Sequence, residues 1–185
     1  FNYLDYEDEG VEGRKCYEVC CKHGKPVVVM EPVKGGRLVN LTKAAKALLE
    51  GLNNGSSASY AIRFAAGFEN VAVVLSGMSS MAQMEDNVSY MVDFKPLDAN
   101  EQDIIKKVCA ILRSQNQVPC TACKYCVDGC PKKIQIPDVL ACLNLRRQLK
   151  NAGDKYREAT ANGGKASDCI KCGKCEKVCP QHLPI

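Results

Sequence analysis

Tryptophan is absent from the 185 residues, aromatic residues make up only 6%, and there are two histidines. So thin an aromatic complement supplies no base-stacking motif. No recognition-helix pattern accompanies the basic residues either, so no nucleic-acid partner is expected. His23 ends a predicted helix beside Gly24, where a cation complements the helix dipole, and His182 follows a Cys-Pro pair. Neither sits at a spacing that marks an acid–base pair. No apolar run approaches the roughly 20 residues of a membrane span, so no membrane partner is expected. Nothing resembles a secretory signal, so a disulfide framework is not expected and the compartment read from the cysteines is a reducing one, the cytoplasm.

Against these absences stand thirteen cysteines. Eight of them form two copies of one pattern, Cys120-x2-Cys123-x2-Cys126-x3-Cys130-Pro131 and Cys169-x2-Cys172-x2-Cys175-x3-Cys179-Pro180. Three cysteines at this spacing wrap three corners of one [4Fe-4S] cube, while the fourth, held by the turn its proline enforces, points toward the other cube. The pattern predicts two clusters with crossed ligands. Cys120, Cys123, Cys126 and Cys179 hold one; Cys169, Cys172, Cys175 and Cys130 hold the other. Zinc takes four ligands, and a run of this kind leaves it surplus thiolates at each site. The other five, Cys16, Cys20, Cys21, Cys109 and Cys142, lie in apolar or helical patterns and are expected to be small core residues.

Charge is divided unevenly along the chain. Residues 1–97 hold ten Lys and Arg against twelve Asp and Glu, whereas residues 98–185 hold fifteen against nine. An oxidised cube with four thiolates carries about −2, so two cubes offset roughly four of the surplus positive charges. Lys124, Lys132, Lys133, Lys171, Lys174 and Lys177 are interleaved with the ligands. There they suit cluster stabilisation or the docking of an acidic electron donor or acceptor protein.

The chain divides near residue 97, into domains 1–97 and 98–185, and the fold class expected is α/β followed by all-α. In the first domain, strand-like apolar runs alternate with helical stretches, the rhythm of βα units. Residues 1–6 read as a strand end, 12–23 as a helix, 26–30 as a buried valine strand and 31–36 as a loop. Helices over 41–52 and 58–66, a buried strand over 71–76 and a helix over 81–91 follow. Asp5, Glu7, Asp8 and Glu9 read as a solvated acidic loop. The Ser76-Gly77-Met78-Ser79-Ser80 turn has two readings: backbone N–H groups and a helix dipole that hold a phosphate, or an ordinary N-cap at Ser79 or Ser80.

In the second domain Asp98 caps a helix over 99–115 with an apolar stripe. A second helix runs from Pro137 to about residue 150, with Leu149 among its packing residues, and a third spans 154–161. Gly163-Gly164 then punctuates the return to the second cysteine run. This pattern suits an α-helical ferredoxin-like domain. Ile134 and Ile136 after the first run, and Leu183 and Ile185 after the second, are candidates for apolar cover over the cubes.

Residues 1–93 resemble the last three βα units of an aldo/keto reductase barrel, through Asn2-Tyr3, Met30-Glu31-Pro32-Val33-Lys34-Gly35-Gly36 and Leu75-Ser76-Gly77-Met78-Ser79-Ser80-Met81-Ala82-Gln83-Met84-Glu85-Asp86-Asn87. The rest, including Pro119-Cys120-Thr121-Ala122-Cys123-Lys124-Tyr125-Cys126, resembles the ferredoxin-type extension of the iron-sulfur aldo/keto reductases. The resemblance implies a partial (β/α)8 TIM barrel followed by a domain with two [4Fe-4S] clusters. It implies NADP(H) as a further cofactor, with Pro32, Gly35 and Gly36 along the pyrophosphate. Ser79 and Ser80 then lie near the 2′-phosphate, and Gln83, Asp86 and Asn87 near the adenine. Gly77 and Gln83 stand where many relatives carry basic residues.

The family's carbonyl-protonating Asp, Tyr, Lys and His belong to the first half of the barrel, so no catalytic residue is assigned here. The chain is expected to be a fragment, or to complete its barrel with an N-terminal barrel half or a second copy. The function implied is an aldo/keto-reductase-type oxidoreductase with an electron-transferring iron-sulfur domain. The alternative is a stand-alone electron-transfer module without reductase activity.

Overall fold

Two valine runs form a parallel pair, β1 (Val27–Val29) and β2 (Val71–Val74). Val27 lies opposite Val71 and Val29 opposite Val74, with an irregularity after Val27. Branching at Cβ favours the extended backbone, and parallel pairing requires a long crossover. Here α2 (Lys43–Glu50) and α3 (Ser57–Ala66) supply it, while α1 (Gly13–Lys22) precedes β1 and α4 (Met81–Met91) follows β2. The structure, a computed structural model, describes residues 1–115, 117–147 and 150–185, so Leu149 lies outside the described residues. It divides into two units, Phe1–Leu112 and Arg113–Ile185.

Helix ends are set by identifiable residues. The side chains of Thr42, Ser56 and Ser80 accept from Ala45, Ser59 and Gln83 N–H, capping α2, α3 and α4. Helix α1 stops where Gly24 turns left-handed at φ 59°, and Lys25 N–H reaches back to Cys20 O at 2.9 Å. His23 is the residue just before that turn.

Residues 1–6 are a turn and not the expected strand end. Asn2 Oδ1 accepts from the N–H groups of Leu4 and Asp5, both at 3.1 Å, and Asn2 O accepts from Tyr6 N–H at 2.9 Å. An Asx side chain competing for backbone donors curls the chain where apolar alternation alone suggests extension. The expected acidic loop is also corrected at one position. Asp5 is buried, its carboxylate 2.7 and 2.5 Å from Lys34 Nζ, while Glu7 pairs with Arg14.

Six of the eleven aromatic residues, Phe1, Tyr3, Tyr6, Tyr17, Phe64 and Phe68, gather in one cluster with ring centroids 4.8–6.4 Å apart. These separations suit edge-to-face packing. The remaining core of the unit centres on Leu38, Leu49, Tyr60 and Val108. Val108 belongs to α5 (Ala99–Ser114). Its apolar stripe, Ile105, Val108, Cys109 and Leu112, packs in the same core as Tyr3 and Leu49. The division therefore falls at 112, whereas the sequence reading put it at 97. The cap of α5 was legible: Asp98 Oδ1 accepts from Glu101 N–H at 2.8 Å and Glu101 Oε2 accepts from Asp98 N–H at 2.9 Å, a capping box.

The strands are not buried on both faces. Val28 is 57% and Val73 47% exposed, and these two valines are register partners across the pair. The cysteine expectation also divides. Cys109 and Cys142 are buried, but Cys16 and Cys21 are exposed and Cys20 is half-buried.

The second unit is helical: α6 (Tyr125–Asp128), α7 (Ile136–Arg147), α8 (Gly153–Thr160), a 3-10 turn (Ala166–Asp168) and α9 (Lys174–Lys177). Helix α7 packs on α8, and α6 on α9. Gly163 and Gly164 let the returning chain press against the first cysteine run's tail. A Cβ on either would sit 2.3 Å from a carbonyl oxygen, of Lys133 or Lys132 respectively. Backbone cannot yield as a flexible side chain does, so Gly164→Ala is expected to destabilise the unit by about 1–3 kcal/mol. Urea denaturation of the protein checks this by a lower midpoint at unchanged slope.

Candidate iron-sulfur and nucleotide sites

The two cysteine runs repeat in backbone as well as in sequence, at an offset of 49 residues. Ala122 and Lys171 are left-handed at φ 57° and 54°, Lys124 and Gly173 at 66° and 69°, and Lys133 and His182 at 52° and 49°. Each run bends early enough for an N–H to reach its first sulfur: Ala122 N–H donates to Cys120 Sγ and Lys171 N–H to Cys169 Sγ, both at 3.4 Å. One helical turn follows, α6 or α9, and then a turn in which Lys133 N–H donates to Cys130 O and His182 N–H to Cys179 O. The first run is also pinned to α7, since Asn144 accepts from Val118 N–H and donates to Val118 O, both at 2.8 Å.

Packing α6 against α9 brings cysteines 39 or more residues apart into common cavities. Cys169, Cys172 and Cys175 line one of about 480 Å³ together with Cys130. Cys120, Cys123 and Cys126 line a second, much tighter one together with Cys179. Leu140 of α7 and Ile185 border both cavities. Of the expected apolar covers, Ile134 and Ile136 line the first cavity and Leu183 the second. Tyr125 is 65% exposed and lines neither. Among the described residues no three His, Cys, Asp or Glu side chains converge as they would on one ion. The thiols are instead spread around cavity walls.

The two cavities differ in setting. In the larger, Cys169 and Cys172 are exposed, and Lys132, Lys171 and Lys174 stand at the rim with Glu176. In the tighter one Cys126 is buried and Cys120 and Cys179 are half-buried. Burial pushes the Cys126 thiol up to about 11 and raises those of Cys120 and Cys175. Apolar surroundings thus favour the neutral thiols there, and a bound iron, which deprotonates a coordinated thiol outright, would offset the penalty on the thiolate. The residues present fit an iron-sulfur group in both places.

The first unit offers a broad groove of about 1170 Å³ beside the C-terminal ends of β1 and β2. Pro32, Gly35, Gly36, Gln83, Asp86 and Asn87 line it. Ser79 and Ser80 do not, being turned to the helix start: Ser79 N–H donates to Gln83 Oε1 at 2.7 Å, and Ser80 is the N-cap of α4. Asp86 accepts from Ser56 Oγ at 2.6 Å, and Asn87 donates to Ser76 Oγ at 2.9 Å, tying α4 to α3 and to the end of β2.

The loop at 31–36 turns through left-handed Glu31, Lys34, Gly35 and Gly36. It is held from behind by the Lys34–Asp5 pair and by Asn2 Nδ2, which donates to Glu31 O at 3.3 Å. This buried tether escaped the sequence reading. Its only signal was a lysine amid small loop residues, with the matching acid 29 positions earlier. Charge along the groove is mainly acidic, Glu31, Glu50 and Asp86 against Lys46, which itself pairs with Glu50 at 3.2 Å.

No helix among the described residues is long and apolar enough to cross a membrane. No curated protein and no solved structure matched the chain. Family models did: residues 119–184 match the 4Fe-4S dicluster domain, and residues 1–110 match the aldo/keto reductase family. The second match spans more than half of the chain, which therefore belongs to the aldo/keto reductase family and joins that fold to an iron-sulfur domain.

Proposed function

We propose that this oxidoreductase holds two [4Fe-4S] clusters with crossed ligands, Cys120, Cys123, Cys126 and Cys179 on one and Cys169, Cys172, Cys175 and Cys130 on the other. The observation that carries this reading is the lining of the two cavities, each of which takes three cysteines from one run and the fourth from the other. When bound, the clusters supply one-electron transfer and NADP(H) a hydride. The protein's own part is to fix the thiols on two repeated turns, to exclude water with Ile134, Ile136 and Leu183, and to present lysines to an acidic electron donor or acceptor protein.

The first unit is read as the closing βα units of a (β/α)8 barrel. Its exposed Val28 and Val73 support that reading, since an uncovered valine face calls for further strands, from an N-terminal barrel half or a second copy. The groove at 31–36 and 83–87 is the proposed seat of the nucleotide.

The stand-alone electron carrier remains a second reading because of the groove's acidic lining, which repels the phosphates of NADP(H). One preparation tests both. Anaerobically isolated protein is expected to hold about eight iron atoms per chain and to quench NADPH fluorescence on titration. Zinc in place of iron, or about four iron atoms, would sink the two-cluster reading. Eight irons with no NADPH binding would establish the carrier in place of the reductase.

A further inference from the structure

Thr121 Oγ1 is buried and has no hydrogen-bond partner among the described residues. A buried hydroxyl left unpaired costs about 1–3 kcal/mol, so such an atom calls for an explanation. Thr121 lies between Cys120 and Cys123 and lines the tighter cavity. Among the described residues no sulfur, carbonyl or carboxylate accepts from it. Within the repeat its counterpart, 49 residues on, is Ile170, which lines the other cavity and has no polar side-chain atom. The backbone around the two positions is the same, with matched left-handed residues and matched N–H contacts to the first sulfur. At this point the first site therefore carries a hydroxyl and the second only hydrocarbon.

The geometry points to Thr121 as a hydrogen-bond donor to a sulfur of the cluster held by Cys120, Cys123, Cys126 and Cys179, making that cluster easier to reduce than it would be without the hydroxyl. This rests on the two-cluster reading above. A bound cluster brings sulfur with negative charge, the acceptor that the hydroxyl lacks. Reduction adds one electron, breaks no bond and moves no proton; it raises the charge on sulfur, so a donated hydrogen bond favours the reduced form. Thr121 is a positioning residue, acting on the electron's energy and not on a substrate. At the other site Ile170 offers no such donor.

The test is a redox titration of the anaerobic holoprotein, with dithionite as the one-electron reductant and both clusters followed by electron paramagnetic resonance. In Thr121→Val, nearly the same shape without the hydroxyl, one of the two midpoints is expected to fall by about 59 mV, a tenfold loss in the reduction constant. The other midpoint stays in place, and Thr121→Ser keeps both. Thr121→Ala, smaller and unable to overfill the site, gives the same fall if the valine variant loads poorly. Unchanged midpoints in Thr121→Val with both clusters present would overturn the hydrogen bond. An equal fall in Thr121→Ser would assign the effect to packing, overturning it as well. A wild-type protein with fewer than two clusters would instead sink the reading on which it rests.

Discussion

Cys130→Ser is expected to remove one cluster and leave the other, taking iron from about eight to about four atoms per chain. The cluster that goes is the one expected on Cys169, Cys172 and Cys175, although Cys130 belongs to the other run by sequence. The reason is where the turn after α6 leaves its sulfur: Cys130 lines the larger cavity and is absent from the lining of the tighter one. Cys179→Ser is expected to do the converse, removing the cluster on Cys120, Cys123 and Cys126. The two single variants should give different electron paramagnetic resonance spectra, because the survivors differ in burial: Cys126 is buried, whereas Cys169 and Cys172 are exposed. Identical residual spectra, or loss of both clusters in each variant, would count against crossed ligation. A third variant separates ligation from folding. Cys142→Ser touches a buried cysteine of α7 that lines neither cavity, and iron content is expected to stay at its full value.

The iron-sulfur domain was legible because a cube needs thiols at fixed short intervals, and that demand is written into neighbouring positions. Helices were legible for a similar reason: apolar period and caps are local, so α4 at Met81–Met91 and the Asp98 cap of α5 agree with the reading. What escaped depends on residues far apart. Residues 1–6 alternate like a strand, but Asn2 takes the backbone donors and turns the chain. Asp5 sits in an acidic run that looks solvated, and only Lys34, 29 residues on, makes it a buried partner. The serines 79 and 80 offered a phosphate or a cap; Ser80 caps α4. The exposed Cys16 and Cys21 on α1 show the limit of composition, since cysteine's usual burial says nothing about which helical face it occupies.

The compact units divide at 112, and what ties the chain beyond 97 into the first of them is also long-range. Arg63 on α3 donates through both terminal nitrogens to Glu101, each at 2.8 Å, and through Nε to Lys95 O at 2.8 Å. Asn54 adds a further bond to the carboxylate at 2.9 Å. One ion pair thereby fastens the segment at 95–98 and the start of α5 to α3. Both side chains are buried, so burial pushes the Glu101 carboxyl up, but the bonds from Arg63, Asp98 N–H and Asn54 outweigh it and hold the group below its ordinary range.

Removing one member strands the other's charge. Arg63→Ala or Glu101→Ala is therefore expected to cost about 3–5 kcal/mol, measured by urea denaturation with circular dichroism. Arg63→Met with Glu101→Leu removes both charges and is expected to cost less than either alanine variant, because no unpaired charge is left. A double variant as unstable as the sum of the singles would show that packing, and not the stranded charge, sets the cost. The pH dependence has a definite sign. A depressed carboxyl contributes stability fully above its unfolded value, near 4.5, and loses it as pH falls through the lower folded value. The wild-type protein should lose stability on acidification below about pH 4.5 more steeply than the Met/Leu double variant. Parallel curves would show that the pair does not carry the acid sensitivity.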